Sequence, residues 1–159
     1  MTNNEYCIWE DTRQQTGKHE LKHKYWDKHG IQWDRSKLPI GDYCGDKYGF
    51  KVIIDTKKDI QEIIQNVTKD HERFKKECMK AQERKIKLIV LIENKDGVKS
   101  KNDLGGWYNW RLKKNPKATT GKQLMKILYT MEERYCVEFR FCAPEEAGQA
   151  IVDILYKEE

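Results

Sequence analysis

The chain is 159 residues long, 38% hydrophobic and 36% charged, with a formal net charge of +5. That length carries one hydrophobic core of ordinary size, so a single domain over 1–159 is expected, and the modest positive charge is thin ground by itself for a polyanionic partner. No apolar run approaches the ~20 residues of a membrane span, and Met1 to Glu5 lack the basic-then-apolar pattern of a secretory leader, so the expectation is a cytoplasmic protein with no membrane partner.

From the N-terminus, Tyr6 to Glu10 reads as a short strand closed by the polar stretch Asp11-Thr12-Arg13-Gln14-Gln15. His19 to His29 reads as a helix stopped by Gly30. Ile31 to Lys37 is a second strand, and Leu38-Pro39-Ile40-Gly41-Asp42 turns into the next. Gly45 and Gly49 bracket a hairpin turn leading to Phe50–Asp55, whose unbroken Val52-Ile53-Ile54 suits a central strand covered on both faces. From Ile60 to Lys85 the period becomes helical, with Phe74, Cys78 and Ala81 at i, i+4 and i+7 against a charged face. Ile86 to Ile92 is a buried strand. Asn94 to Thr120, rich in glycine and lysine, reads as loop with one short helix. Gly121 to Tyr135 is helical, Val137 to Cys142 is a strand, and Pro144 opens a last helix. Strands interleaved with helices predict an α/β fold, a mixed central sheet flanked by helices. The five cysteines, Cys7, Cys44, Cys78, Cys136 and Cys142, form no C-x-x-C pair and read as reduced thiols.

Two short stretches carry the chemistry. Gly41-Asp42-Tyr43 places an acid on a turn, and Val52 to Lys57 ends an apolar run in acid-x-Lys. Side chains two apart in a strand share a face, so Asp55 and Lys57 point the same way. With Asp42 on the neighbouring strand, two carboxylates and one ammonium converge. That is the equipment for holding a hard divalent cation and setting a water against a phosphodiester. The residues predict a nuclease dependent on Mg²⁺ or Mn²⁺, with Asp42 and Asp55 as metal ligands. Taken singly, Gly-Asp is a common turn and Asp-x-Lys a common strand end; only their combination and order point to a site.

Two other features compete. His19-Glu20-Leu21-Lys22-His23 is a literal H-E-x-x-H, which on a helix sets two histidines one turn apart for zinc, with Glu20 as general base for peptide hydrolysis. Lys18, Lys22 and Lys24 crowd the motif with charge and no third ligand follows. An exposed, His- and Lys-rich helix is therefore expected, and a zinc protease is the remote alternative. Between Lys95 and Lys122, the cations Lys99, Lys101, Arg111, Lys113, Lys114, Lys117 and Lys122 interleave with Trp107, Tyr108 and Trp110. Cations neutralise phosphates and aromatic faces stack on unpaired bases, so DNA contact is expected here, with Trp107 as a stacking ring. The competing reading packs Trp107 and Trp110 into the core and leaves the lysines solvated. A DNA-binding module without chemistry is the nearer alternative.

The order of these motifs resembles the nuclease domain of the XPF-type structure-specific endonucleases, a branch of the PD-(D/E)xK superfamily. The family's opening Asp-x-Arg-Glu corresponds to Asp11-Thr12-Arg13-Gln14, and its Leu-x-x-Gly-Asp-Tyr turn to Leu38-Pro39-Ile40-Gly41-Asp42-Tyr43. Its Glu-Arg-Lys corresponds to Asp55-Thr56-Lys57, an acid or amide on the next helix to Asp59, Gln61 or Glu62, and its helical arginine to Arg73. The apolar strand closed by Glu matches Leu91-Ile92-Glu93. The likeness covers a core of about 6–93, leaving a basic loop and C-terminal helices over 94–156. It implies a restriction-endonuclease-like fold and catalytic parts for Asp11, Arg13, Asp42, Asp55, Lys57 and Arg73, with Gln14, Glu62 and Glu93 as secondary candidates. It further implies hydrolysis of branched or flapped DNA in repair or recombination, and assembly as a homodimer or with a partner subunit. Three departures stand out: Asp55 in place of Glu, Thr56 in place of Arg, and Gln14 in place of Glu.

Overall fold

Alternation along one central strand splits the hydrophobic core in two. The computed structural model describes residues 7–15, 17 and 19–157, so Tyr6, Lys18, Glu158 and Glu159 lie outside the described residues. The elements are β1 (Cys7–Asp11), α1 (Glu20–Lys28), β2 (Gln32–Ser36), β3 (Tyr43–Gly45), β4 (Gly49–Lys57), α2 (Ile60–Val67), α3 (His71–Glu83), β5 (Lys87–Glu93), α4 (Gly121–Arg134), β6 (Val137–Cys142) and α5 (Ala147–Val152). The six strands form one sheet in the order β2-β1-β3-β4-β5-β6. β1 and β2 are parallel, β3 runs antiparallel to β1 and β4, and β4, β5 and β6 are parallel to one another. The expected mixed sheet flanked by helices is thus observed, and each parallel pair is joined by a crossover containing a helix, as parallel geometry requires.

Ile53 and Ile54 are both fully buried and, being consecutive, point to opposite faces. Ile53 joins Leu88, Val90 and Ile92 beneath α2, α3 and α4, through Ile63, Phe74, Cys78, Leu124 and Leu128. Ile54 joins Ile89 and Leu91 against Trp26 of α1 and Ile151 of α5. Each such aliphatic burial contributes about 1.5–3 kcal/mol. Central placement explains why Val52-Ile53-Ile54 is continuous rather than alternating.

The same parity assigns the polar residues. Asp55 and Lys57 share the face of Ile53, whereas Glu93 shares that of Ile89 and Leu91. Within β1, Ile8 and Glu10 look toward α1, and Asp11 looks the other way.

Several boundaries differ from expectation. The helical stretch over 60–85 is made of two helices, parted at Thr68–Asp70. Thr68 turns its hydroxyl back onto the Ile64 carbonyl at 2.7 Å, and the Asp70 N–H closes onto the Gln65 carbonyl at 3.0 Å. A side chain that satisfies the backbone locally competes with continued helix. The 94–120 stretch holds two short 3₁₀ turns, Lys101–Gly106 and Trp110–Lys113, rather than one short helix. The chain after Pro144 forms a 3₁₀ turn, then α5, then a π-helical turn over Asp153–Lys157. No helix among the described residues is long and apolar enough to cross a membrane.

Candidate active site

The Gly41–Asp42 turn is fixed by the backbone it crosses. Gly41 has φ +69°, and a Cβ there would sit 2.6 Å from Ile53 Cγ2, so only glycine fits. The Asp42 N–H donates to the Ile54 carbonyl at 2.8 Å, and the Asp42 carbonyl accepts from the Asp11 N–H at 2.7 Å. β1, β3 and β4 thereby deliver their acids to one place. The Asp42 Oδ2 accepts from the Thr56 N–H at 2.7 Å and the Thr56 hydroxyl at 2.8 Å. Thr56, which stands where the resembled family has arginine, anchors the side chain of Asp42.

Asp55 is 7% exposed. The Lys57 ammonium lies 3.0 Å from Asp55 Oδ2, an ion pair between two largely buried side chains. The carboxyl of Asp42 is within hydrogen-bonding reach of Asp55. Burial, then the Asp55 charge, push the Asp42 carboxyl well above the usual carboxylate range, against the Thr56 hydrogen bonds. Burial works against the Lys57 ammonium, yet Asp55, Glu77 and Glu62 outweigh it and raise its pKa.

Around this pair opens a cleft of about 600 Å³, lined by residues that include Asp11, Arg13, Gln14, His19, Asp42, Asp55 and Glu77. The Asp11 carboxylate accepts from Arg13 Nε at 2.5 Å and from the Leu38 N–H at 2.9 Å. Burial works to raise the Asp11 pKa, but Arg13 and the Leu38 N–H outweigh it and hold the carboxyl below its ordinary value. Arg13 also donates to the Leu38 carbonyl at 2.9 Å. Asp11 therefore secures Arg13 and the 38–42 turn rather than presenting two open oxygens.

Glu77 of α3 was not legible from the motifs. Burial, then Asp55, push its carboxyl up to about 7, against the pull of Lys57, Arg13 and Lys80. Its one sequence signal is position: it immediately precedes Cys78 on the Phe74/Cys78/Ala81 stripe, at the edge of the buried face of α3. Arg73, expected in the site, is exposed on α3 and is not among the residues lining the cleft. Glu62 closes the first turn of α2, accepting from the Lys58 N–H at 2.7 Å. Glu93 pairs with Lys22 at 2.8 Å on the far side of the sheet, as strand parity demands.

Among the described residues no three His, Cys, Asp or Glu side chains gather as a metal cage. The fit of a divalent cation rests instead on two carboxylates. Asp42 and Asp55 are held together, the charge of Asp55 opposes ionisation of Asp42, and one ammonium, Lys57, serves the pair, so a hard, largely hydrated cation would supply the charge that the second carboxylate lacks. Those two residues would hold it.

The H-E-x-x-H helix is built differently from expectation. Lys22 is buried, not solvated, with its ammonium 3.5 Å from His19 Nδ1. His23 Nε2 lies 2.7 Å from Glu10 Oε2, and its ring stacks on Trp33 at 3.8 Å. Glu20 is exposed. Burial, then Lys22, lower the His19 pKa to about 4. The two histidines are thus committed to different neighbours, a lysine and a glutamate, which is no zinc-protease arrangement.

The basic segment divides into two sets. Lys99 pairs with Glu146, and Lys101 pairs with Glu132 at 2.7 Å beneath Tyr129. Trp107 donates to Asp96 Oδ2 at 2.9 Å and packs on the core, so it is not an open stacking ring. Arg111, Lys113, Lys114, Lys117 and Lys122 are exposed and form no salt bridge among the described residues. The exposed rings are Tyr108 at 57% and Trp110 at 56%.

No protein family and no curated protein matches the sequence. Among solved structures, the fold is similar to "XPF from Aeropyrum pernix", at a TM-score of 0.63 and 14% identity, covering 94% of this chain. The match takes in 59% of that chain's length. The shared feature is the fold, a mixed α/β sheet of the restriction-endonuclease-like kind.

Proposed function

We propose that the protein is a Mg²⁺- or Mn²⁺-dependent endonuclease hydrolysing DNA phosphodiester bonds, on branched or flapped DNA. The observation that carries this reading is the Asp42–Asp55 pair, two carboxylates held within hydrogen-bonding reach and served by a single ammonium, Lys57, on a fold similar to that of an XPF protein. A bound divalent cation supplies charge neutralisation at the phosphate and an acidified water. The chain's own residues do the rest. Asp42 and Asp55 bind the cation. Lys57, kept protonated by Asp55, orients the attacking water or stabilises charge on the phosphate oxygens. Arg13, held by Asp11 and Leu38, points a cation into the cleft for a non-reacting phosphate. Glu77 titrates near neutrality and can carry or release a proton at its carboxyl. Association as a homodimer or with a partner subunit belongs to the same proposal.

One observation favours the alternative, a DNA-binding module of this fold without turnover. Lys57 faces Asp55, and both Thr56 donors are spent on Asp42, so the acids are partly neutralised from within. One experiment separates the two: labelled branched and linear DNAs incubated with Mg²⁺, with Mn²⁺ and with chelator. Cleavage only with Mg²⁺ or Mn²⁺ is expected. Binding without cleavage would establish the module, and cleavage undiminished by chelator or supported by zinc alone would overturn the metal assignment.

A further inference from the structure

A second groove, of about 720 Å³, runs between α2 and the 109–119 segment and is lined by Lys58, Gln61, Gln65, Arg111, Asn115 and Lys117 among others. Its two walls are bolted together by Asn109, 1% exposed. Asn109 Oδ1 accepts from Gln61 Nε2 at 2.8 Å and from the Arg111 N–H at 3.0 Å, and its amide donates to the Thr119 carbonyl at 2.8 Å. The segment is therefore a pre-formed wall, although composition alone reads as loop.

The charges of this groove are unequally spent. Asp59 accepts from the Glu62 N–H at 2.8 Å, Glu62 from the Lys58 N–H at 2.7 Å, and Asp70 from Gln65 at 3.2 Å. Asp59 and Glu62 close the first turn of α2, and Asp70 is held by a side-chain amide. Lys58, Lys69, Arg111 and Lys117 are exposed and, among the described residues, their side-chain cations form no salt bridge. Arg111 also lies over the Trp110 ring, 5.3 Å from its centroid, so the indole adjoins the groove wall. Tyr108 is exposed two residues away. Unspent cations along a groove, with an exposed indole against one of them, match a polyanion whose bases are unpaired, because a paired base has no open face to stack.

We propose that this groove is a track for an unpaired DNA strand, with Lys58, Arg111 and Lys117 on its phosphates and Trp110 and Tyr108 under its bases. Lys58 of this groove follows Lys57 directly in sequence. The inference rests on DNA being the partner, not on turnover.

The test is equilibrium binding of the full chain to a labelled oligodeoxythymidine and to a blunt duplex of equal length, by fluorescence anisotropy in chelator. No cleavage then enters the readout, and failure of the nuclease reading leaves this result intact. Tyr108→Ala with Trp110→Ala should weaken oligodeoxythymidine binding at least about 5-fold per ring, with duplex binding changed less than about 2-fold. Trp110→Phe should restore much of the loss. Arg111→Ala with Lys117→Ala should reduce the salt slope for the single strand by about 0.7 for each phosphate left without its cation. Both rings are exposed, and an unchanged circular dichroism spectrum checks folding. Parental affinity in the double-ring variant, or equal losses on single strand and duplex, would overturn the proposal.

Discussion

The carboxyl of Asp42 lies within hydrogen-bonding reach of Asp55, and the negative charge of Asp55 opposes ionisation of Asp42. Metal-free protein therefore stores repulsion where a cation is proposed to sit. Asp42→Asn keeps an oxygen for the Thr56 donors and removes the ionisable group whose charged form Asp55 opposes. It should raise the metal-free melting temperature at pH 8, by roughly 2–4 °C for each kcal/mol relieved in a chain of this size. It should also abolish both cleavage and stabilisation by Mg²⁺. Differential scanning fluorimetry with and without Mg²⁺ checks this, and an Asn variant less stable than its parent would contradict it.

Lys57 and Asp55 have side chains only 11% and 10% exposed. Removing the lysine leaves a buried carboxylate facing another. Lys57→Ala should cost about 3–5 kcal/mol of stability without metal, and lower turnover by roughly 10²–10³ when refolded in Mg²⁺. Metal affinity should be kept or slightly tightened, since a repelling charge has gone. Urea unfolding, calorimetric metal titration and a cleavage time course separate these effects.

Glu77 gives a pH dependence whose sign follows from its raised pKa. Below about 4.5 the group is protonated folded and unfolded alike. Between 4.5 and about 7 the unfolded chain loses the proton first, so metal-free stability falls as pH rises through this window, then levels off. Glu77→Gln should leave the melting temperature unchanged near pH 4 and raise it at pH 8. Equal shifts at both pH values would exclude a titrating Glu77.

The division of the basic segment predicts unequal lysines. Lys113→Ala and Lys114→Ala should each flatten the salt dependence of duplex binding, by about 0.9 for each phosphate no longer neutralised. Lys101→Ala should leave that slope unchanged and instead lower stability, because Glu132 loses its partner at 2.7 Å. A flattened slope in Lys101→Ala would show that its ion pair opens on binding.

Local patterns in the sequence determined most of the fold. The apolar run Val52-Ile53-Ile54 marked the central strand, the stripe Phe74, Cys78, Ala81 marked α3, and the acid-x-Lys spacing placed Asp55 and Lys57 on one face. These are properties of residues a few positions apart, which propensity and periodicity encode directly. Tertiary structure decided what those faces meet. It set Glu77 beside Asp55, carried Glu93 to the opposite side against Lys22, left Arg73 in solvent, and spent Lys99 and Lys101 on Glu146 and Glu132 while leaving Arg111 and Lys117 open. It also buried Lys22 within an apparently solvated motif. Each outcome is a meeting of side chains distant in sequence, fixed by helix packing and by which buried charges find partners, and neither hydrophobic period nor local propensity records it.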